Sequence, residues 1–183
     1  MLVNNETGCI FPVADIARLL RQRGSRALLH TDAVQAFLKV PCRPGDLGVD
    51  LMSISAHKIG GPKGIGALYI ADTLRDPRPL LPGGGQEAGR RSGTEATAQM
   101  AGFARAVELR CENLEDKLHQ MAELKDYCRR RLLTIPGMAA IGEGTAPHIL
   151  MVSLPGYPSA NVVTDLGAQG ICISAGSACH RGK

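Results

Sequence analysis

The chain has 183 residues, a formal charge of +4 and 44% hydrophobic content, ample for one globular core and a second small lobe. Its 22 glycines, lack of Trp and 3% aromatic content suit an α/β protein with tight loops and argue against an aromatic-rich β-sandwich. Lys and Arg are spread along the chain, which argues against a nucleic-acid partner, and the cysteines show neither a CxxC pair nor a His at zinc-ligand spacing.

Those cysteines are Cys9, Cys42, Cys111, Cys128, Cys172 and Cys179. Without a secretory signal they read as reduced thiols, which points to the cytoplasm, and no metal site is expected. No apolar run is long enough for a membrane span.

In chain order, Leu2-Val3 reads as the end of a strand running into the polar loop Asn4 to Gly8. From Pro12 to about Arg23 the apolar residues Val13, Ile16, Leu19 and Leu20 recur at helical spacing, with Pro12 suited to the start and Gly24 to the stop. Ala27 to Thr31 and Asp50 to Ile54 read as strands, and Ile65 to Ile70 as a third after the turn Gly60-Gly61-Pro62-Lys63-Gly64. Strands alternating with a helix imply a mainly parallel sheet, whose strand ends are where ligands bind.

Residues 82–94 form a polar, Gly-rich loop of the kind usually kept for function. A helical region follows from about Glu95 to Leu133, with Met100, Phe103, Val107, Cys111, Leu114, Leu118, Met121 and Cys128 on one stripe expected to pack in a core. Cys172, in an apolar pattern, is expected to be buried like Cys111 and Cys128. The last section reads as a strand over His148 to Leu154, a helix over Ser159 to Ala168 and a strand over Ile171 to Ser174. The expected domains are 1–94, part of a large domain, a connecting helical region over 95–134, and an incomplete small α+β domain over 135–183.

Chemistry gathers around Lys58. A lysine that forms a Schiff base with a pyridoxal cofactor needs anchors for the cofactor phosphate and a carboxylate at the ring nitrogen. Asp32 and Lys58 each follow a strand, so neighbouring parallel strands would bring both to one sheet edge. Ser55 and His57 flank the lysine and can donate to a phosphate, and Gln35 lies one turn past Asp32. Taken singly these signals are weak: Ser-x-His-Lys is more often a polar loop, and Asp32 alone is more often a cap. Cys179 sits among Gly, Ser and Ala, open to approach, and His180 and Arg181 would favour its thiolate.

Together, Val3-Asn4-Asn5-Glu6-Thr7-Gly8, His30-Thr31-Asp32-Ala33-Val34-Gln35, Ser55-Ala56-His57-Lys58, Gly61-Pro62-Lys63-Gly64, Gly83-Gly84-Gly85-Gln86-Glu87, Arg91-Ser92-Gly93-Thr94 and Gly176-Ser177-Ala178-Cys179 resemble the ordered motifs of the NifS/IscS-type cysteine desulfurases. These belong to the class V aminotransferase group, and the resemblance runs from residue 2 to residue 183. It implies an α/β fold of the aspartate aminotransferase-like, pyridoxal-phosphate-dependent transferase type. It also implies that Lys58 carries pyridoxal 5'-phosphate, that Asp32 pairs with the ring nitrogen, and that Gln35 and Asn5 address the ring oxygen. Ser55 and His57 then bind the phosphate, and Thr94 reaches the phosphate of a neighbouring subunit in a homodimer. L-Cysteine is the implied substrate and Cys179 the implied sulfur acceptor, passing sulfur to an iron–sulfur scaffold or a tRNA-thiolation protein. His180 departs from the Ser or Thr usual after this cysteine, which leaves the acceptor open. The chain opens within a strand and ends just after the Cys179 loop, so an incomplete enzyme is expected, binding cofactor weakly and turning over slowly. A selenocysteine lyase or another class V lyase, and a non-catalytic fragment, are the alternatives.

Overall fold

A computed structural model of the chain describes residues 1–74, 77–142 and 144–177. Two compact units emerge: Met1–Val3 with Phe11–Glu115, and Asn4–Ile10 with the chain from Asp116 onward.

In the first unit, α1 (Val13–Gln22) buries Val13 and Ala17 and stops before Gly24, whose φ of +60° only glycine adopts freely. β1 (His30–Asp32) is shorter than its apolar run suggests, because the Leu29 N–H is taken at 2.7 Å by the Asp50 carboxylate. A single turn, α2 (Pro44–Leu47), ends at Gly48 in the left-handed region and leads to β2 (Leu51–Ser55). β1 and β2 pair in parallel, with Thr31 opposite Met52 and Asp32 opposite Ser53. β3 (Gly66–Ile70) returns antiparallel to β2, since the residues between them are too few for a crossover. Leu2 extends this edge: it is 2% exposed and its N–H donates to the Asp32 carbonyl at 2.7 Å. Ala33, Ala36, Met52, Ala56 and Ile59 complete the core beneath the strand ends.

The helical region is two helices, α3 (Thr97–Cys111) and α4 (Leu114–Leu132). The break is at Asn113, whose φ of +51° no α-helix accommodates. Of α3 only Ala106 is buried, whereas Met100 is 44% exposed and Cys111 is exposed. The expected burial of the stripe therefore fails at those two positions, and its other members, Cys128 among them, are only half-buried: the period is helical, but nothing among the described residues covers the stripe fully. Cys172 is also exposed, contrary to its apolar setting.

In the second unit, β4 (Ala139–Ala140) and β5 (Val152–Ser153) pair antiparallel, and α5 (Ser159–Ala168) has the expected bounds. Lys125 of α4 donates to the carbonyls of Gly144 and Ala146, which holds the loop before β5. Ile171 to Ser174 is irregular, with Ile171 and Ile173 about half exposed, and no strand among the described residues pairs with it. Among the described residues no helix is long and apolar enough to cross a membrane, and no cluster of His, Cys, Asp and Glu could hold a metal ion.

Candidate active site

Parallel pairing puts the ends of β1 and β2 side by side, with Asp32 opposite Ser53 and Ser55 two residues further along. Asp32, Ser53 and Ser55 share one face by the two-residue period of a strand. On the same face the His30 imidazole and Ser53 hydroxyl lie 2.7 Å apart, a pairing across strands 23 residues apart that has no local sequence signal. Asp32 is exposed, and its Oδ1 accepts the Val34 N–H at 2.9 Å. The carboxylate thus caps the turn that follows β1.

β2 runs directly into a 3-10 turn, Ala56–Ile59, that carries His57 and Lys58. Ala56 and Ile59 are buried and His57 is exposed, so the turn is anchored by its ends and presents its polar middle. The Ser55 hydroxyl and His57 Nδ1 are 2.6 Å apart, which brings two phosphate-capable groups together. Gly60 closes the turn at φ +91°, and the Gly61 N–H donates to the Ala56 carbonyl at 2.9 Å. A Cβ on Gly61 would stand 2.9 Å from the Ala56 Cβ and 3.2 Å from that of Ala106 on α3. Only glycine lets the chain fold back this closely beside Lys58.

The segment after Asp32 packs by an edge-to-face contact of Phe37 with Phe103, ring centres 6.3 Å apart. Gln35 is half-buried there. Lys39, two residues past Phe37, is the unexpected member: it is 8% exposed and its Nζ has no hydrogen-bond partner among the described residues. Burial, with the positive charges of Arg110 and Lys58, lowers its pKa from 10.5 to about 8. Burial likewise pushes the nearby Cys42 thiol up, partly offset by the Leu38 backbone and Lys39. A lysine set between Leu38 and Val40, with no acid beside it, was the available signal.

Of the expected residues, Asp32, Gln35, Ser55, His57 and Lys58 belong to this one unit. Thr94 is exposed at the end of the 82–94 loop, where Gly93 N–H donates to the Gln86 side chain at 3.2 Å and Arg91 donates to the Ser92 carbonyl. Asn5 belongs to the second unit, exposed in a turn whose Asn4 Oδ1 accepts the N–H groups of Glu6 and Thr7 at 3.0 and 2.8 Å. Cys179 lies outside the described residues. Glu6 accepts the N–H of Ser177, two residues before it, at 3.0 Å.

The family model for class-V aminotransferases matches residues 1–182. A cysteine desulfurase of Trichormus azollae is 40% identical over 186 aligned residues, covering all of this chain and 46% of that protein. Among solved structures, a NifS-like protein is 38% identical with a TM-score of 0.88, over 95% of this chain and 48% of that one. A NifS-like protein from Rickettsia africae ESF-5 is 30% identical, also at a TM-score of 0.88, over 96% of this chain and 49% of that one. The chain spans about half the length of the curated relatives it matches.

Proposed function

Because the chain belongs to the class-V aminotransferase family, we propose that it acts in cysteine desulfuration, removing sulfur from L-cysteine and releasing L-alanine. The observation that carries this reading is the meeting of Lys58, Asp32, Ser55 and His57 at adjoining parallel strand ends. The cofactor is pyridoxal 5'-phosphate, and the donor set fits it. Lys58 is half-buried in the turn that follows Ser55, the Ser55 hydroxyl and the His57 imidazole pair at 2.6 Å, and the exposed Asp32 stands at the next strand end.

In this reading Lys58 is the point of attachment, and its freed amine removes the proton at the substrate Cα. Ser55 and His57 hold the phosphate as a preformed pair. Asp32 keeps a proton on the ring nitrogen, while its bond to the Val34 N–H fixes the carboxylate in place. Gln35 and Asn5 address the ring oxygen, and Thr94 reaches the phosphate of a second subunit, so the working form is a homodimer. Bound pyridoxal phosphate supplies an electron-accepting ring that activates the substrate at Cα and Cβ. Cys179 takes the sulfur: its thiolate forms an S–S bond as the substrate C–S bond breaks, and the carbon skeleton gains a proton and leaves as alanine. The persulfide then passes to an acceptor protein, an iron–sulfur scaffold or a tRNA-thiolation protein, in the cytoplasm.

The test is a cysteine assay with pyridoxal phosphate, reading alanine by chromatography and the persulfide by intact mass. Cys179→Ser is expected to keep cofactor absorbance and lose both products. Undiminished alanine release by that variant would overturn the role of Cys179 and favour a lyase that does not use this thiol.

A further inference from the structure

The turn from Asn4 to Gly8 is tied down from several sides. The Asn4 side-chain oxygen accepts the N–H groups of Glu6 and Thr7 at 3.0 and 2.8 Å and the Thr7 hydroxyl at 3.1 Å. The Asn4 N–H donates to the Cys9 carbonyl at 2.9 Å, and the Gly8 N–H to the Asn4 carbonyl at 3.1 Å. The Gly8 carbonyl in turn accepts the Ala146 N–H at 3.0 Å. A Cβ on Gly8 would stand 3.0 Å from the Ile149 Cβ, so the turn is seated against the segment that leads to β5. Glu6 therefore springs from a fixed backbone.

The Glu6 carboxylate is exposed and pairs with no cation among the described residues. Its Oε1 accepts the N–H of Ser177, 171 residues along the chain, at 3.0 Å. Gly176 turns there with φ +68°, and a Cβ on it would lie 3.9 Å from both Glu6 carboxylate oxygens. The Gly176 carbonyl accepts the Ser174 hydroxyl at 3.0 Å. Residues 174–177 lie in no helix or strand, so side-chain bonds of this kind take the place of a sheet ladder. A hydrogen bond to an ionised acceptor is about twice as strong as a neutral one.

We propose that Glu6 is a positioning residue for sulfur transfer: its carboxylate clasps the Ser177 backbone and fixes the base of the loop that carries Cys179. The proposal rests on the role given above to Cys179, which follows Ser177 by two residues in the sequence. Glu6 itself forms no bond to substrate in this account. It acts by setting where the chain towards the thiol begins, and effective attack depends on such placement.

The test compares the intact chain with Glu6→Ala and with Glu6→Gln, which keeps an acceptor oxygen at the same reach. Amide hydrogen exchange at Ser177 is read without cofactor or substrate. It is expected to quicken about three- to tenfold in Glu6→Ala and to stay nearer the wild type in Glu6→Gln. With pyridoxal phosphate and L-cysteine, persulfide formation on Cys179, followed by intact mass, is expected to slow in Glu6→Ala and to recover in Glu6→Gln. Cofactor absorbance should be the same in all three, which separates a displaced loop from a damaged cofactor site. Unchanged exchange at Ser177 in Glu6→Ala overturns the clasp. Faster exchange with undiminished persulfide formation overturns the positioning role. A wild type that forms no persulfide counts against the desulfuration reading instead, and the exchange comparison still decides the clasp.

Discussion

Lys39→Met removes an ammonium ion from the interior of the first unit while nearly preserving side-chain length. In the folded chain, burial and the charges of Arg110 and Lys58 bring the Lys39 pKa to about 8, whereas the unfolded chain keeps 10.5. That gap corresponds to about 3 kcal/mol. Its sign follows from proton counting. Below about pH 8 both states hold the proton, and the folded state bears the whole penalty. Between about pH 8 and 10.5 the unfolded state holds more protons, so stability rises with pH until the penalty is gone. Cys42 has the opposite trend, because burial raises its thiol pKa and the unfolded state ionises first. Subtracting the variant's stability curve from the wild type's removes most of that contribution. Lys39→Met is therefore expected to be more stable than the wild type at neutral pH, by up to about 3 kcal/mol. The advantage should shrink as pH climbs through the window from about 8 to 10.5. Urea denaturation followed by circular dichroism across that range reads both quantities. A variant no more stable than the wild type at neutral pH, or an advantage that does not change with pH, would refute the reasoning.

Two further substitutions probe the turn and the strand end. Gly61→Ala forces a Cβ to within 2.9 Å of the Ala56 Cβ. It is expected to cost about 1–3 kcal/mol in urea denaturation and to loosen cofactor retention by moving Lys58. At Asp32 the cap and the charge separate: Asp32→Ala loses the bond to the Val34 N–H and about 1 kcal/mol of stability. Asp32→Asn keeps an acceptor oxygen there, so its stability should hold while its affinity for pyridoxal phosphate, read by absorbance titration, falls.

Much of the first unit was legible in the sequence because its signals are local. Pro12 and Gly24 bracket α1, and the strand ends lie within a residue or two of Asp32 and Ser55. The motif logic that paired Asp32 with Lys58 needs only parallel neighbours, and β1 and β2 are parallel neighbours. What escaped depends on distant partners. The start of β1 is set by the Asp50 carboxylate 21 residues away, and Asn113 breaks a helix whose apolar period carries on across it. Ile171 to Ser174 has strand-like residues and no strand to pair with among the described residues. The solitary burial of Lys39 follows from the packing of three segments and has no periodic signature.

The central claim is that Lys58 carries pyridoxal phosphate, and borohydride trapping tests it most directly. The chain is incubated with the cofactor, reduced, digested, and its peptides are sequenced by mass spectrometry. A reduced pyridoxyl group on the peptide containing Lys58, absent from Lys58→Ala, is the expected result. Label on Lys39 or Lys63 in preference to Lys58, or labelling that survives Lys58→Ala unchanged, would contradict it.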